Sequence, residues 1–361
     1  FREAGRKYAE IPGRRKSKLS GKFRWQDSAL LPKWRMPVLI DLLWLLAGLT
    51  ALYFGAEWLV GGASKLAVRF GISPLVVGLT VVAFGTSAPE LFVSIGFNAS
   101  GYPDMALGNV IGSNICNIGL VLGVSAFICV LHVKSELLVR DLPVLLVATI
   151  LFCWMLSDRA ISWVEGIILF LCVLSYTVYQ LALAKRVKNP EVVSEFAAEF
   201  DAEEAKSRPV WFLVFLILAG LVGLYFGADW LERGGVSLAK RFGVPEAVIS
   251  LTLIAFSTSV PELATSVVAS LRKEGDIIIG NVIGSCIFNL FCVIGITAAV
   301  KPILSQGIEM VDLYVMIGFT LMLIPVLWQG RQITRWEGAI LLAGYFGYTA
   351  FLYFDRVAGA A

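Results

Sequence analysis

Slid along itself by 172 residues, the chain meets itself again. Leu52-Tyr53-Phe54-Gly55-Ala56-Glu57-Trp58-Leu59 falls on Leu224-Tyr225-Phe226-Gly227-Ala228-Asp229-Trp230-Leu231. Arg69-Phe70-Gly71 falls on Arg241-Phe242-Gly243, and Gly108-Asn109-Val110-Ile111-Gly112-Ser113 on Gly280-Asn281-Val282-Ile283-Gly284-Ser285. Glu165-Gly166 meets Glu337-Gly338, and Tyr176 meets Tyr348. An offset that stays constant from Leu52 to Tyr176 marks an internal duplication, so any fold must be built twice from one unit.

The unit is apolar. Of 361 residues 58% are hydrophobic and 16% charged, with a mean hydropathy of +0.79. Soluble domains are nearer a quarter charged. Ten apolar runs, 37–60, 74–99, 105–131, 137–157, 160–184, 209–232, 245–271, 277–300, 311–329 and 336–355, are each near the ~20 residues that span a bilayer. Lipid offers the backbone no partners, and the runs are long and unalternating, so they read as helices rather than a barrel. The fold class expected is an all-α polytopic membrane protein.

Five spans per half is an odd number, so the second half enters the membrane from the other side. That predicts two inverted five-helix repeats related by an axis in the membrane plane, with the site near the midplane between them. The divisions are a basic N-terminal tail over 1–36, a first repeat over 37–184, a charged connector over 185–208 and a second repeat over 209–361. The tail carries eleven Lys or Arg against three Asp or Glu and has no apolar run, so it is not a secretory signal. Loops on the connector side hold thirteen Lys or Arg against six on the other. The positive-inside rule then places the connector in the cytoplasm and both termini outside a cell (inner) membrane. The tail alone argues the reverse.

Gly85-Thr86-Ser87-Ala88-Pro89-Glu90 interrupts the uncharged run from Val76 to Asn98, and Ser257-Thr258-Ser259-Val260-Pro261-Glu262 interrupts Val248 to Ser270. A carboxylate inside an apolar span costs roughly 2.5–3.5 kcal/mol on insertion scales, so a chain that carries one twice in the same wording uses both. Proline lacks an N–H and opens the helix. Carbonyls around Ala83 and Thr86, with Ala255 and Thr258 in the second copy, can then point at a guest. Ser87 and Ser259 add hydroxyls. In the neighbouring motif Ser113 and Asn117 lie four apart on one helix face, as do Ser285 and Asn289. Gly108 with Gly112, and Gly280 with Gly284, read as small-residue packing positions.

Pooled, these residues offer two carboxylates, two amides, hydroxyls and carbonyls. His132 is the only histidine, which excludes His-based metal or triad chemistry. The six cysteines lack paired ligand spacing and read as buried thiols. An all-oxygen set suits calcium or sodium, and magnesium less because it keeps its waters. Nothing marks an enzyme: no Walker-type loop supports a pump, and an intramembrane hydrolase would need a water and a peptide groove.

The two motifs resemble the alpha-repeats of the sodium/calcium exchanger family, within the calcium:cation antiporters, over nearly all of the chain after residue 36. The resemblance implies exchange of calcium for sodium by alternating access, through sliding of the first and sixth helices against a core. It implies that Glu90 and Glu262 bind both ions, with backbone oxygens of Thr86 and Thr258 on calcium. Ser87, Ser259, Ser113, Ser285 and the carbonyls of Ala83 and Ala255 would complete flanking sodium sites, and Asn117 and Asn289 would border the middle one. The expected partners are calcium and sodium ions and the bilayer, with no cofactor and no nucleic acid. Two positions depart from the family pattern. Ser257 stands where glycine is usual, which stiffens that hinge, and Asn289 stands where several members carry aspartate, which bears on stoichiometry and potassium dependence. A calcium or other divalent cation/proton antiporter on the same scaffold is the alternative.

Overall fold

The structure, a computed structural model, describes residues 38–186, 207–242, 255–305, 307–328 and 330–354. The basic tail, most of the charged connector and the start of the seventh span lie outside the described residues. The rest is almost entirely helical, as apolar segments in lipid must be. In chain order the helices are α1 (Val38–Phe70), α2 (Pro74–Thr86), α3 (Ala88–Ala99), α4 (Pro103–Ile128), α5 (Leu137–Asp158) and α6 (Trp163–Arg186). The second half contributes α7 (Val210–Arg241), α8 (Ala255–Ser257), α9 (Val260–Leu271), α10 (Gly275–Val300), α11 (Met310–Trp328) and α12 (Arg335–Tyr353). Among the described residues seven are long and apolar enough to cross a membrane alone, and α2 with α3 makes an eighth, bent by 41°. The short α9 closes the seventh span and α12 is the tenth, so the order is that of ten helices in two fives.

Burial sorts these helices into layers. The most apolar stretch of α10 is 94% buried and that of α4 78%, against 22% for α1 and 28% for α6 and α7. The motif helices α4 and α10 therefore form the centre, and α1, α6 and α7 face lipid. Trp163, Trp211 and Trp336, all exposed near helix ends, suit the aromatic belt of a membrane interface. Gly280 and Gly284 lie where α2 crosses α10. A Cβ on Gly280 would sit 2.6 Å from the Leu75 carbonyl, and one on Gly284 2.8 Å from the Ala83 Cβ. Those two glycines are packing positions, as their spacing suggested, whereas a Cβ on Gly108 or Gly112 would meet nothing within 4 Å among the described residues.

The long outer helices α1 and α7 are joined through backbone. A Cβ on Gly55 would lie 2.7 Å from the Leu224 amide nitrogen, and one on Gly220 2.6 Å from that of Leu59. Gly48 and Gly227 repeat the arrangement one heptad away. These contacts map onto one another under the 172-residue offset, so α1 and α7 cross on the pseudo-two-fold axis as one tight pair.

The loops test whether the repeats are inverted. Leu131–His132, after α4, pairs antiparallel with Gln332–Ile333, after α11. Ala160–Ile161, after α5, pairs with Ile303–Leu304, after α10. Under the offset each ladder is the image of the other, and so are their flanking bonds, Val133 N–H to the Arg331 carbonyl and Ser305 N–H to the Arg159 carbonyl, both 2.8 Å. Parallel repeats would put the loop after the third span beside the loop after the eighth. Here the third is beside the ninth and the fourth beside the eighth, as only inverted repeats allow. The repeated acids Glu165 and Glu337 are accounted for by helix starts: each accepts from the N-cap amide of Ser162 or Thr334, at 2.8 and 2.7 Å.

Candidate functional site

Each Pro-Glu motif sits at a break in its span. Ser87 leaves the helical region at φ −87°, ψ 3°, and Ser259 does the same at φ −91°, ψ 2°. The new helix that starts there places its glutamate in the first turn. Backbone N–H groups at a helix start favour a negative charge, so part of the cost of a carboxylate in lipid is offset by where it is put. The preceding half-helix ends in carbonyls, the end of a helix that favours a cation.

The carbonyls need one refinement. Pro89 removes the amide donor for Gly85, not for Ala83. The Ala83 carbonyl accepts from the Ser87 N–H at 3.0 Å, with the Thr86 hydroxyl 3.5 Å away, so its helical partner is not lost. In the second copy the Ser259 N–H closes a tighter turn onto the Phe256 carbonyl, also at 3.0 Å.

The two motifs meet. Glu90 and Glu262 are both 0% exposed. The Ser87 hydroxyl donates to Glu262 Oε1 at 3.1 Å, which links the first repeat's hinge to the second repeat's acid. Ser259 Oγ lies 3.3 Å from Ser113 Oγ on α4. Asn117 and Asn289 each open a π-helical turn, Asn117–Val121 and Asn289–Val293, a distortion that often marks a functional position. Asn289 Nδ2 donates to Asn114 Oδ1 at 3.3 Å.

Around these contacts lie buried polar atoms with no hydrogen-bond partner among the described residues. They are both carboxylate oxygens of Glu90, Oε2 of Glu262, both amide atoms of Asn117, Oγ of Ser285 and Oδ1 of Asn289. Leaving such a group unsatisfied costs about 1–3 kcal/mol, and more for a charged one. All but the Asn117 nitrogen are oxygens. No group of three or more His, Cys, Asp or Glu able to hold a metal occurs among the described residues. The arrangement instead mixes two acids with amide and hydroxyl oxygens, a donor set whose chemistry suits a hard cation.

A second shell escaped the sequence reading. Asn109 and Asn281, of the repeated Gly-Asn motif, join the two halves. Thr258 Oγ1 donates to Asn109 Oδ1 at 3.2 Å, and Thr86 Oγ1 lies 3.3 Å from Asn281 Oδ1. Their amide groups donate back to the arms, Asn109 to Ser94 at 3.0 Å and Asn281 to Ser266 at 3.3 Å. Each asparagine therefore fastens a hinge of the opposite repeat. The only sequence signal was their place beside the glycines, since contacts between halves leave no local periodicity. Ser257 uses its departure from glycine as well: its hydroxyl donates to Glu232 of α7 at 2.7 Å. Glu57 and Asp229, another repeat-related pair of acids, are paired with Arg272 and Arg233.

Inverted repeats that cross broken helices around a buried oxygen cluster define a membrane transporter of cations rather than an enzyme. A family model described as sodium/calcium exchanger protein matches residues 40–182 and again 212–354, the two matches separated by the same 172 residues. The chain belongs to the sodium/calcium exchanger family. It is 35% identical to the putative antiporter CaxA of Alkalimonas amylolytica, over 88% of this chain and 99% of that one. It is 29% identical to the sodium/calcium exchanger MaX1 of Methanosarcina acetivorans, with the same coverage of each. Among solved structures it resembles the sodium-calcium exchanger NCX_Mj soaked with sodium and strontium. The TM-score is 0.75 and the identity 31%, over 87% of this chain and 98% of that one.

Proposed function

We propose that this protein exchanges calcium for sodium across a cell membrane, carrying both through the cluster around Glu90 and Glu262. The observation that carries the reading is the set of buried oxygens, drawn from both repeats, that have no hydrogen-bond partner among the described residues. Two carboxylates balance one divalent ion, or two or three monovalent ions in adjacent positions, which is a physical basis for exchange. Glu90 and Glu262 serve both ions, and the backbone oxygens of Thr86 and Thr258 serve calcium. Ser87, Ser259, Ser113, Ser285 and the carbonyls of Ala83 and Ala255 serve sodium, and Asn117 and Asn289 border the middle position. Access alternates as the α1–α7 pair moves against the core, with the connector on the cytoplasmic side.

The rival coupling ion is the proton, for which Glu90 supplies a carboxylate with neither oxygen hydrogen-bonded among the described residues. Calcium uptake into proteoliposomes, with sodium, potassium and proton gradients imposed separately, decides between them. The proposal expects an outward sodium gradient to drive uptake. Uptake driven by a pH step without sodium would transfer the reading to proton coupling, and no calcium flux under any gradient would overturn it.

A further inference from the structure

Two inverted copies of one unit give a transporter two facing states that the pseudo-two-fold rotation nearly interchanges. Contacts that have a repeat-related mate contribute alike to both. Only contacts without a mate can favour one state over the other. The interface between the α1–α7 pair and the rest of the bundle contains such contacts, and they gather on one arm.

Arg272, just past the end of α9, pairs with Glu57 of α1 and lies 3.8 Å from Glu274. Glu274 in turn accepts from the Ser64 hydroxyl of α1 at 2.5 Å. Ser64 and Glu274 are buried. At the hinge of the same arm, Ser257 donates to Glu232 of α7 at 2.7 Å. Under the offset, Arg272 becomes Ser100, Glu274 becomes Tyr102, Ser64 becomes Val236, Ser257 becomes Gly85 and Glu232 becomes Val60. Those residue types cannot rebuild the ion pair or the Ser257 hydrogen bond: Ser100 could offer Asp229 only a neutral hydroxyl, and Gly85 and Val60 carry no polar side chain. Gly85 instead meets the apolar side chain of Leu221. Asp229, the mate of Glu57, pairs within its own helix with Arg233 at 2.9 Å.

We propose that Arg272 and Ser257 are positioning residues that hold the α1–α7 pair against the second-repeat arm, and so set which of the two facing states predominates at rest. This rests on the alternating-access reading above. When the pair moves to its other position both ties lengthen, and the repeat-related positions of the first-repeat arm have no ion pair to replace them. The bias therefore belongs to the side chains of this sequence and not to the fold. The apparent affinity of a site is reduced by the fraction of protein in the state that exposes it, so a shifted bias changes affinity oppositely at the two faces.

The test uses the symmetrising variants Arg272→Ser and Ser257→Gly in the full chain, reconstituted with known sidedness. The first readout is the ratio of apparent calcium affinities at the two faces. The second is the distance distribution between spin labels on α1 and α10. Each variant is expected to move the ratio by about fivefold in the same direction, with the label distances shifting toward a second population. The charge-reversed double variant Glu57→Arg with Arg272→Glu should restore the original ratio. Affinities that fall equally at both faces, or variants that move the ratio in opposite directions, would overturn the proposal. The label distances need no flux. A protein that passes no calcium but still shows the shift would fail the transport reading and keep this one, and unchanged distances in both variants would sink it.

Discussion

Glu90 and Glu262 occupy the same place in the same motif, yet they meet different company. Glu262 accepts a hydrogen bond from Ser87 at 3.1 Å, while both oxygens of Glu90 are without a partner among the described residues. Around them the two arms differ in the same sense. The first repeat has Gly85 at its hinge with an apolar neighbour, and the second has Ser257 bonded to Glu232. Duplication therefore reproduces the helix break and the placement of the acid. The finer polarity of each half is free to diverge, and with it the division of labour between the acids.

The largest effect that would test this comparison comes from neutralising each acid. Glu90→Gln and Glu262→Gln should each lower calcium flux in proteoliposomes by about a hundredfold, the scale of about 3 kcal/mol of lost charge-assisted ligation. Folding should survive. A ligand that binds only the native state at a hundred times its Kd stabilises by about 2.7 kcal/mol. The rise in thermal midpoint with added calcium should therefore vanish in both variants. Without calcium, Glu90→Gln should melt higher than the parent, because it removes a buried carboxylate whose oxygens have no hydrogen-bond partner among the described residues and whose cost the helix start offsets only in part.

A smaller effect sharpens the asymmetry. Ser87→Ala takes away the hydroxyl that Glu262 accepts from, and should weaken calcium binding by about tenfold, measured by isothermal titration. Ser259→Ala loses only a hydroxyl-to-hydroxyl contact with Ser113, 3.3 Å long, and should cost about threefold. Equal losses would mean that the difference between the acids has no energetic content.

The smallest effect concerns what the halves share. Asn109→Ala and Asn281→Ala each remove one bridge between repeats, to Thr258 and Thr86. Each should destabilise by about 1 kcal/mol in thermal unfolding, and the two values should agree within about 0.5 kcal/mol. A clear inequality would show that the pseudo-symmetry stops short of the second shell.

How much of this was legible beforehand follows from the range of each interaction. The spans, the breaks at Pro89 and Pro261 and the inverted relation of the halves depend on local apolarity, on proline and on parity, and all three can be read along the chain. The loop ladders then confirm the inversion by hydrogen bonding. The Asn109–Thr258 bridge joins residues 149 apart, and no periodicity announces it. The Ser257–Glu232 tie was visible only as a departure from glycine, and what it reached depended on how α7 lies against the hinge. Ala83 is a subtler case. Proline strips the donor from the carbonyl four residues before it, and Ala83 is six before Pro89, so its helical bond survives.

The central claim is that one acid from each repeat closes on a single ion. Anomalous diffraction from crystals of the full chain soaked in strontium, a heavier stand-in for calcium, addresses it most directly. The account predicts one dominant peak at midplane, coordinated by Glu90 and Glu262 together with oxygens of the two hinges. A peak bound by one glutamate alone, or strontium held elsewhere with the two carboxylates apart, would contradict it.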